Sequence, residues 1–586
     1  MKFSVAEGLQ LLGEVTFAEK AHDDDPKKQC LDATRNEVIE AILRWATYAE
    51  SPDPEEWVGR TPKLSARVLW LCGVAGSGKS RISRSVAARL QKLQRLGSLY
   101  CCDYKNRETL NPRSLFSTVA RHLADRDPLR KQRLIAAIKD DTAIRKTQIC
   151  RLQYQHFIVT PSADLPVVGD TVIVIDAFDE IGSVQDRADA LEILTKRAHE
   201  FPDGLRIVVT SRFERDIQKA LQSPDAVGVD HMLMEEIPSA LTTRDISTYV
   251  HDALKNVEGL SSAQLHELAT AAGNSFQWAS TACRYICDDD GGWGNLPRER
   301  LALFLVGNHG LDELYTQILD ERFGKGSAAD LGRLKLILGQ VIGVKEPISL
   351  RALWELSPKG LPGVNSAPSL EDFQYIVRHL ASLLVNTHDV DQPIFPFHTS
   401  FSDFLHDTNQ GHKYAIDMDK TTNRLALGCL EVMERELRFN ICQIPTSYWA
   451  NKYVENLRRE NISRHLFYAS LFWAQHFSEY VDMDNIISSK LQGLLSSRFL
   501  EWLEVMSVTN SSFQAPLAAI NLSKASFCTN HSITIFTHPR VDSGRPCLPD
   551  PRSQAVHFRF CKANSFKCSA HLPQCSCICT NIISPM

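Results

Sequence analysis

Gly73-Val74-Ala75-Gly76-Ser77-Gly78-Lys79-Ser80 is a G-x-x-x-x-G-K-[ST] run, a set of residue types suited to holding a phosphate chain. Its glycines let the backbone curl until successive N–H groups face one anion, and a helix starting after them adds its positive end. Lys79 can reach the β- and γ-phosphates, and the Ser80 hydroxyl can ligate Mg²⁺. The surroundings are those the chemistry requires. The apolar stretch Val68–Cys72 reads as a buried strand ahead of the run. Behind it, Ile82, Val86, Leu90 and Leu93 form an apolar stripe at three- and four-residue spacing. A glycine turn before an ordinary helix would not call for Lys79 and Ser80.

Two further segments carry chemistry. Thr171–Asp176 reads as a buried strand ending in an acid and is followed by Ala177, Phe178, Asp179 and Glu180. A carboxylate at such a strand end holds Mg²⁺ through water, and a nearby acid orients an attacking water. Asp176 suits the first role, and Glu180 or Asp179 the second. The strand Leu205–Thr210 runs into Ser211 and Arg212, and an arginine there can sense a γ-phosphate by charge-assisted hydrogen bonding. Taken alone, each segment also reads more plainly, as an acidic turn after a core strand and as a solvated surface arginine.

These residues must be positioned by a larger frame. The 586 residues allow about three or four domains, each able to bury a core. A formal charge of −5 and a pI near 6.4 argue against a nucleic-acid binder that works by bulk charge. No apolar run approaches the ~20 residues that cross a bilayer, and the first residues lack the apolar core of a secretory signal, so the cytoplasm is the expected compartment. From about 66 to 255 strands alternate with helices, at 67–73, 97–102, 171–176, 205–210 and 231–235, as in a parallel sheet covered on both faces.

Residues 1–62 read as a leading helical and linker segment, with an apolar stripe at Val38, Ile42 and Trp45. After the nucleotide-binding domain at 63–255 come helices at 256–330. A winged-helix-like unit follows at 331–410, with brief strands at 383–387 and 393–397, and then an all-helical region at 411–509 whose aromatic stripe assigns it to packing. Residues 510–586 change character. Seven of the sixteen cysteines fall between Cys528 and Cys579, acids are nearly absent, and no period persists. Zinc at Cys568, Cys575, Cys577, Cys579 and His571 matches no standard tetrahedral spacing, so the expectation is a low-order tail. A retained intron or shifted frame would produce the same change in composition.

The conjunction of segments resembles the fungal NACHT-domain proteins, STAND-class P-loop NTPases with a nephrocystin-3-like nucleotide-binding module. Cys30-Leu-Asp-Ala-Thr34-Arg35 with Trp45 is similar to the leading part of that module. Asn111-Pro-Arg-Ser-Leu-Phe116 resembles its second helix region, and Val208 to Ile217 its sensor segment. Arg244-Asp245-Ile246 resembles its last helix, Asn274-Ser-Phe-Gln-Trp278 the helical subdomain after it, and His398-Thr-Ser-Phe401-Ser-Asp403-Phe404-Leu405 the winged-helix signature. The resemblance covers about residues 25–507. It implies an α/β P-loop NTPase domain with an ASCE-like parallel sheet, then helical and winged-helix subdomains and an all-α region, ahead of the tail that composition marks as disordered.

It also implies a mechanism. ADP closes the nucleotide domain against the winged helix, and exchange for ATP opens it, with His398 on the ADP β-phosphate and Arg212 on the γ-phosphate. A buried histidine satisfied by backbone is the plainer reading of His398. The resemblance gives ATP over GTP, with Mg²⁺, slow hydrolysis, and self-association or other signalling proteins as partners. Effector domains and repeats that family members often carry are not visible, so a truncated switch is one expectation. A metabolic phosphotransferase or GTPase would need an acceptor lid or an N-K-x-D element, and no such element follows the loop. A non-catalytic interaction protein stabilised by nucleotide is the remaining alternative.

Overall fold

Strands that are apolar at every position are expected only where both faces of a sheet are covered. The computed structural model of the chain has that arrangement. It describes residues 28–47, 62–102, 112–163 except 140 and 146, 170–288, 296–305, 310–358, 368–408, 412–446, 451–477, 485–511, 533–539, 554–560 and 580–581. The chain divides into two compact units, Met1–Leu319 with His398–Ser400, and Asp320–Phe397 with Phe401–Met586. Among the described residues no helix is long and apolar enough to cross a membrane.

The first unit is built on β1 (Val68–Cys72), β2 (Leu96–Cys101), β3 (Thr171–Asp176), β4 (Leu205–Ser211) and β5 (Val229–Leu233). All pair in parallel, in the order β2-β3-β4-β1-β5. Side chains alternate between faces. Trp70, Ile173, Ile175 and Val209 enter one core with the helices Leu115–Arg126 and Pro128–Lys139. Leu69, Leu71, Val174 and Val208 enter the other, with α1 (Asn36–Thr47) and α2 (Lys79–Lys92). Val38, Ile42 and Trp45 of α1 are buried there, so a helix expected in a leading segment shares the core of the sheet. Leu93 departs from the expected stripe. The helix ends at Lys92, Gln94 turns the chain with φ 58, and Leu93 is left 57% exposed.

β4 lies between β1 and β3, so the carboxyl ends of three neighbouring strands deliver the glycine loop, Arg212 and Asp176 to one edge. Ligands of open parallel sheets bind outside that edge. Beyond β5 the unit continues in helices Ser239–Ala253, Ser262–Ala271, Phe276–Cys287 and Pro297–Leu305.

In the second unit the helices Ala328–Gly343, Leu350–Glu355 and Leu370–Arg378 precede an antiparallel pair, β6 (Leu384–Val385) and β7 (Phe395–Pro396). These two strands lie where the sequence places them. A helical stretch follows, with Met418–Glu436, Arg464–Phe472 and Phe499–Val508 as its main members. Leu466, Tyr468, Phe472, Trp473 and Phe477 are all buried, and Trp473 meets Trp502 edge-on at 5.8 Å. Gly428 permits a close crossing, because a Cβ there would lie 1.8 Å from the Leu356 carbonyl oxygen.

Within the region expected to lack order, β8 (Ile533–Pro539), β9 (Gln554–Phe560) and β10 (Thr580–Asn581) pair antiparallel. Cys568, His571, Cys575, Cys577 and Cys579 lie outside the described residues.

Candidate nucleotide site

The loop after β1 takes its shape from two glycines in the left-handed region, Gly76 at φ 78 and Gly78 at φ 98, a conformation that side chains make expensive. The helix Phe276–Cys287 closes against it. Gln277 N donates to the Gly76 carbonyl at 3.1 Å, and a Cβ on Gly76 would lie 2.2 Å from Gln277 Cβ. α2 begins at Lys79, and its N-cap Gly78 has no side chain to cap the first turn, so the positive end of the helix stays open toward the loop. Lys79 Nζ donates to the carbonyls of Gly73 at 2.7 Å and Val74 at 2.8 Å. Val74 N donates to Glu235 Oε1 at 2.8 Å, which fixes the loop to the residues after β5. Burial lowers the Lys79 ammonium pKa below the ordinary lysine value. The charge of Asp179, and less strongly those of Asp176 and Glu235, oppose that shift, while Arg212 adds to it. Five charged groups therefore converge at this edge.

Asp176 ends β3 almost completely buried. Its Oδ1 accepts the Thr210 hydroxyl at 2.6 Å and its Oδ2 accepts Arg84 Nη1 at 3.1 Å. The same Nη1 donates to the Ser80 carbonyl at 3.1 Å, so Arg84 ties the first turn of α2 to the acid. Ala177 then takes φ 56, and its N–H is held by the Thr210 hydroxyl at 2.9 Å. That reversal starts the short turn Phe178–Glu180. The Asp179 carboxylate accepts Arg212 N at 2.9 Å and pairs with Arg212 Nε at 3.4 Å. Arg187 donates to the Asp179 carbonyl at 2.8 Å and forks onto Asp216 at 2.7 and 2.8 Å. That fork holds the Asp216 carboxyl below the usual carboxylate range. Glu180 sits half-buried on the same turn.

His398 belongs with the first unit. Its Nδ1 accepts the Ser400 N–H at 3.1 Å and meets the Ser400 hydroxyl at 2.7 Å, and that hydroxyl lies 2.8 Å from Tyr315 OH. Arg212 donates to the hydroxyl of the intervening Thr399. The structure thus gathers Gly73–Ser80, Asp176, Asp179 and Arg212, with Glu180 beside them and His398 one residue from an Arg212 partner.

Sequence reasoning missed Arg84, Thr210, Glu235, Gln277 and the whole environment of Arg35. Arg35 N donates to Asp245 Oδ2 and its Nη1 to Thr242 Oγ1, both at 2.9 Å, and its Nη2 donates to the Ser77 carbonyl at 3.1 Å. The guanidinium also lies 4.8 Å from the Phe276 ring centroid. Burial lowers the Arg35 pKa, and the charge of Asp245 opposes it. A signal existed for Arg84, which stands four residues after Ser80 and so shares its helix face. None existed for Arg35, whose partners are brought together only by the fold.

Mg²⁺ takes hard oxygen ligands, usually one or two from protein with the rest from water and phosphate. Ser80 and Asp176 supply that donor type, and Arg84 places them on the same side of the sheet edge. The residues therefore fit a Mg²⁺–nucleotide in kind.

Residues 45–212 match the family described as Nephrocystin 3, N-terminal. Among solved structures the chain is similar to one described as the structure of Drosophila ORC bound to DNA. The two share 13% identity with a TM-score of 0.24, over 58% of this chain and 80% of that one. No curated protein matches the chain. The family match runs from Trp45 through the glycine loop and the β3 acid to Arg212, and this stretch forms a P-loop NTPase-like module.

Proposed function

We propose that the chain is a nucleotide-dependent switch of the NACHT, STAND-class kind, binding ATP and ADP and hydrolysing ATP slowly. The observation that carries this reading is the convergence of Lys79, Asp176, Asp179 and Arg212 at the carboxyl edge of β1, β3 and β4. The loop backbone and the first turn of α2 would hold the phosphates, with Lys79 leaving the Gly73 and Val74 carbonyls for the β/γ oxygens. Ser80 and Asp176 would hold Mg²⁺, which when bound neutralises charge on the β- and γ-phosphates. Glu180 or Asp179 would orient the attacking water, and Arg212 would recognise the γ-phosphate. The Asp179–Arg212 pairing supports slow turnover, since both groups must exchange partners first. His398 would meet the ADP β-phosphate through Nε2, because Nδ1 already accepts the Ser400 N–H. Residues 331–410 would be the winged-helix unit, and 411–509 the surface for self-association or a signalling partner.

Calorimetric titration of the full chain with ADP and with Mg-ATP tests the reading. Saturable binding that Lys79→Ala abolishes while the circular dichroism stays unchanged is the expected result, and wild-type protein that binds neither nucleotide overturns it. A second reading, nucleotide as a passive stabiliser, draws on the same paired state of Asp179 and Arg212. It predicts that Glu180→Gln leaves hydrolysis and oligomer state unchanged, whereas the switch reading predicts that hydrolysis is lost.

A further inference from the structure

Arg84 stands where a divalent cation would be expected to act. One of its nitrogens, Nη1, lies 3.1 Å from Asp176 Oδ2, on the acid suited to Mg²⁺, and 3.1 Å from the backbone carbonyl of Ser80, the residue whose hydroxyl is the other suited oxygen. The other carboxylate oxygen of Asp176 is already engaged by Thr210 at 2.6 Å. The pair is sheltered, with side-chain exposures of 14% for Arg84 and 2% for Asp176, so solvent screens it weakly. A guanidinium keeps its charge at any ordinary pH and holds it in a fixed fork.

We propose that Arg84 is a specificity-determining residue that supplies a built-in positive charge at the cation position. Nucleoside diphosphate binding then depends little on Mg²⁺, and Mg²⁺ must compete with Arg84 for Asp176. This rests on the nucleotide reading above. A carboxylate that accepts a charge-assisted bond from arginine has less attraction left for the waters of a divalent ion, and a fixed cation nearby repels that ion directly. The same cation compensates phosphate charge when no metal is present. Arg84 follows Ser80 by one helical turn, so its guanidinium lies on the helix face that also carries Ser80.

The test is calorimetry of ADP binding to the full chain, in EDTA and in Mg²⁺, for wild type, Arg84→Gln and Arg84→Lys. Wild-type ADP affinity is expected to differ by less than about threefold between the two buffers, since the charge is already in place. Arg84→Gln is expected to weaken binding by about tenfold or more in EDTA, with recovery in Mg²⁺, and to tighten Mn²⁺ binding to the ADP complex by a similar factor in electron paramagnetic resonance. Arg84→Lys keeps the charge and is expected to retain the small magnesium dependence, which preserves a test if the glutamine variant does not fold. Wild-type binding that weakens tenfold or more without Mg²⁺ overturns the assignment of Arg84 and leaves the nucleotide site standing. Equal magnesium dependence in wild type and Arg84→Gln also overturns it. Wild-type protein that binds no ADP in either buffer removes the nucleotide site itself, and Arg84's role with it.

Discussion

The two units bury different kinds of polar group. Among the described residues, every buried Asp, Lys or Arg lies in the first unit: Arg35, Lys79, Asp176, Arg187, Arg206, Asp230, Asp245 and Arg300. The second unit keeps its interior polar groups neutral. Gln340 bonds Ser357 at 2.8 Å, and Tyr468 OH receives Lys345 N at 2.9 Å and meets the fully buried His476 Nε2 at 2.8 Å. Ionised groups lose hydration when buried, and an apolar or neutral substitute often leaves a fold equally stable. Burial of such groups in one unit is therefore weak evidence that they stabilise it. Four of the eight, Arg35, Lys79, Asp176 and Arg187, lie on the phosphate loop, at the acid-bearing strand end and its turn, or bond directly to them, and Asp245 in turn bonds Arg35.

The sharpest way to break this contrast is to orphan a buried charge. Asp245→Ala removes the carboxylate that accepts the Arg35 backbone N–H at 2.9 Å and whose charge favours the buried guanidinium, and urea unfolding is expected to lose about 1–3 kcal/mol. An unchanged midpoint would mean that water replaces the lost carboxylate at the Arg35 N–H. In the second unit packing should govern instead. Gly428→Ala is expected to cost about 1–3 kcal/mol by overpacking against Leu356, read as a lowered melting temperature.

The neutral interior of the second unit makes a smaller, pH-dependent prediction. Burial, aided by the charge of Lys345, pushes the His476 pKa down to about 3. The unfolded chain's imidazole takes its proton near pH 6.5, so between those values the unfolded state binds more protons and stability falls as the pH falls. Wild type is expected to lose up to about 1.4 kcal/mol per pH unit more than His476→Gln between pH 6 and 5, measured by thermal melts. Parallel curves for the two proteins would show that His476 is protonated in the fold. The smallest effect belongs to an exposed pair. Asp391→Ala removes the 2.9 Å partner of Arg351 at the surface, and no resolvable change in melting temperature is expected.

What was legible in the sequence was local. β1, β3 and β4 appeared as largely apolar runs because both of their faces are covered, and the loop appeared because its pattern fixes Gly73, Gly78, Lys79 and Ser80 within eight positions. Asp176 and Arg212 were legible as polar residues ending apolar strands. Their partners were not. Thr210 reads as one more strand residue, and only the insertion of β4 between β1 and β3 sets its hydroxyl against Asp176. The involvement of Arg35 depends on helices more than two hundred residues away. Leu93 failed for the converse reason, since a periodic pattern continued past a turn that Gln94 imposes.

The position of β1 has a consequence for synthesis. Its neighbours in the sheet are β4 and β5, which begin at Leu205 and Val229. A ribosome that has made the Val68–Cys72 segment must therefore translate through β2 and β3 before any strand arrives to pair with it. Until Leu205 and the residues after it emerge, a short, wholly apolar strand has no sheet partner in its own chain, which is the condition under which nascent strands associate wrongly.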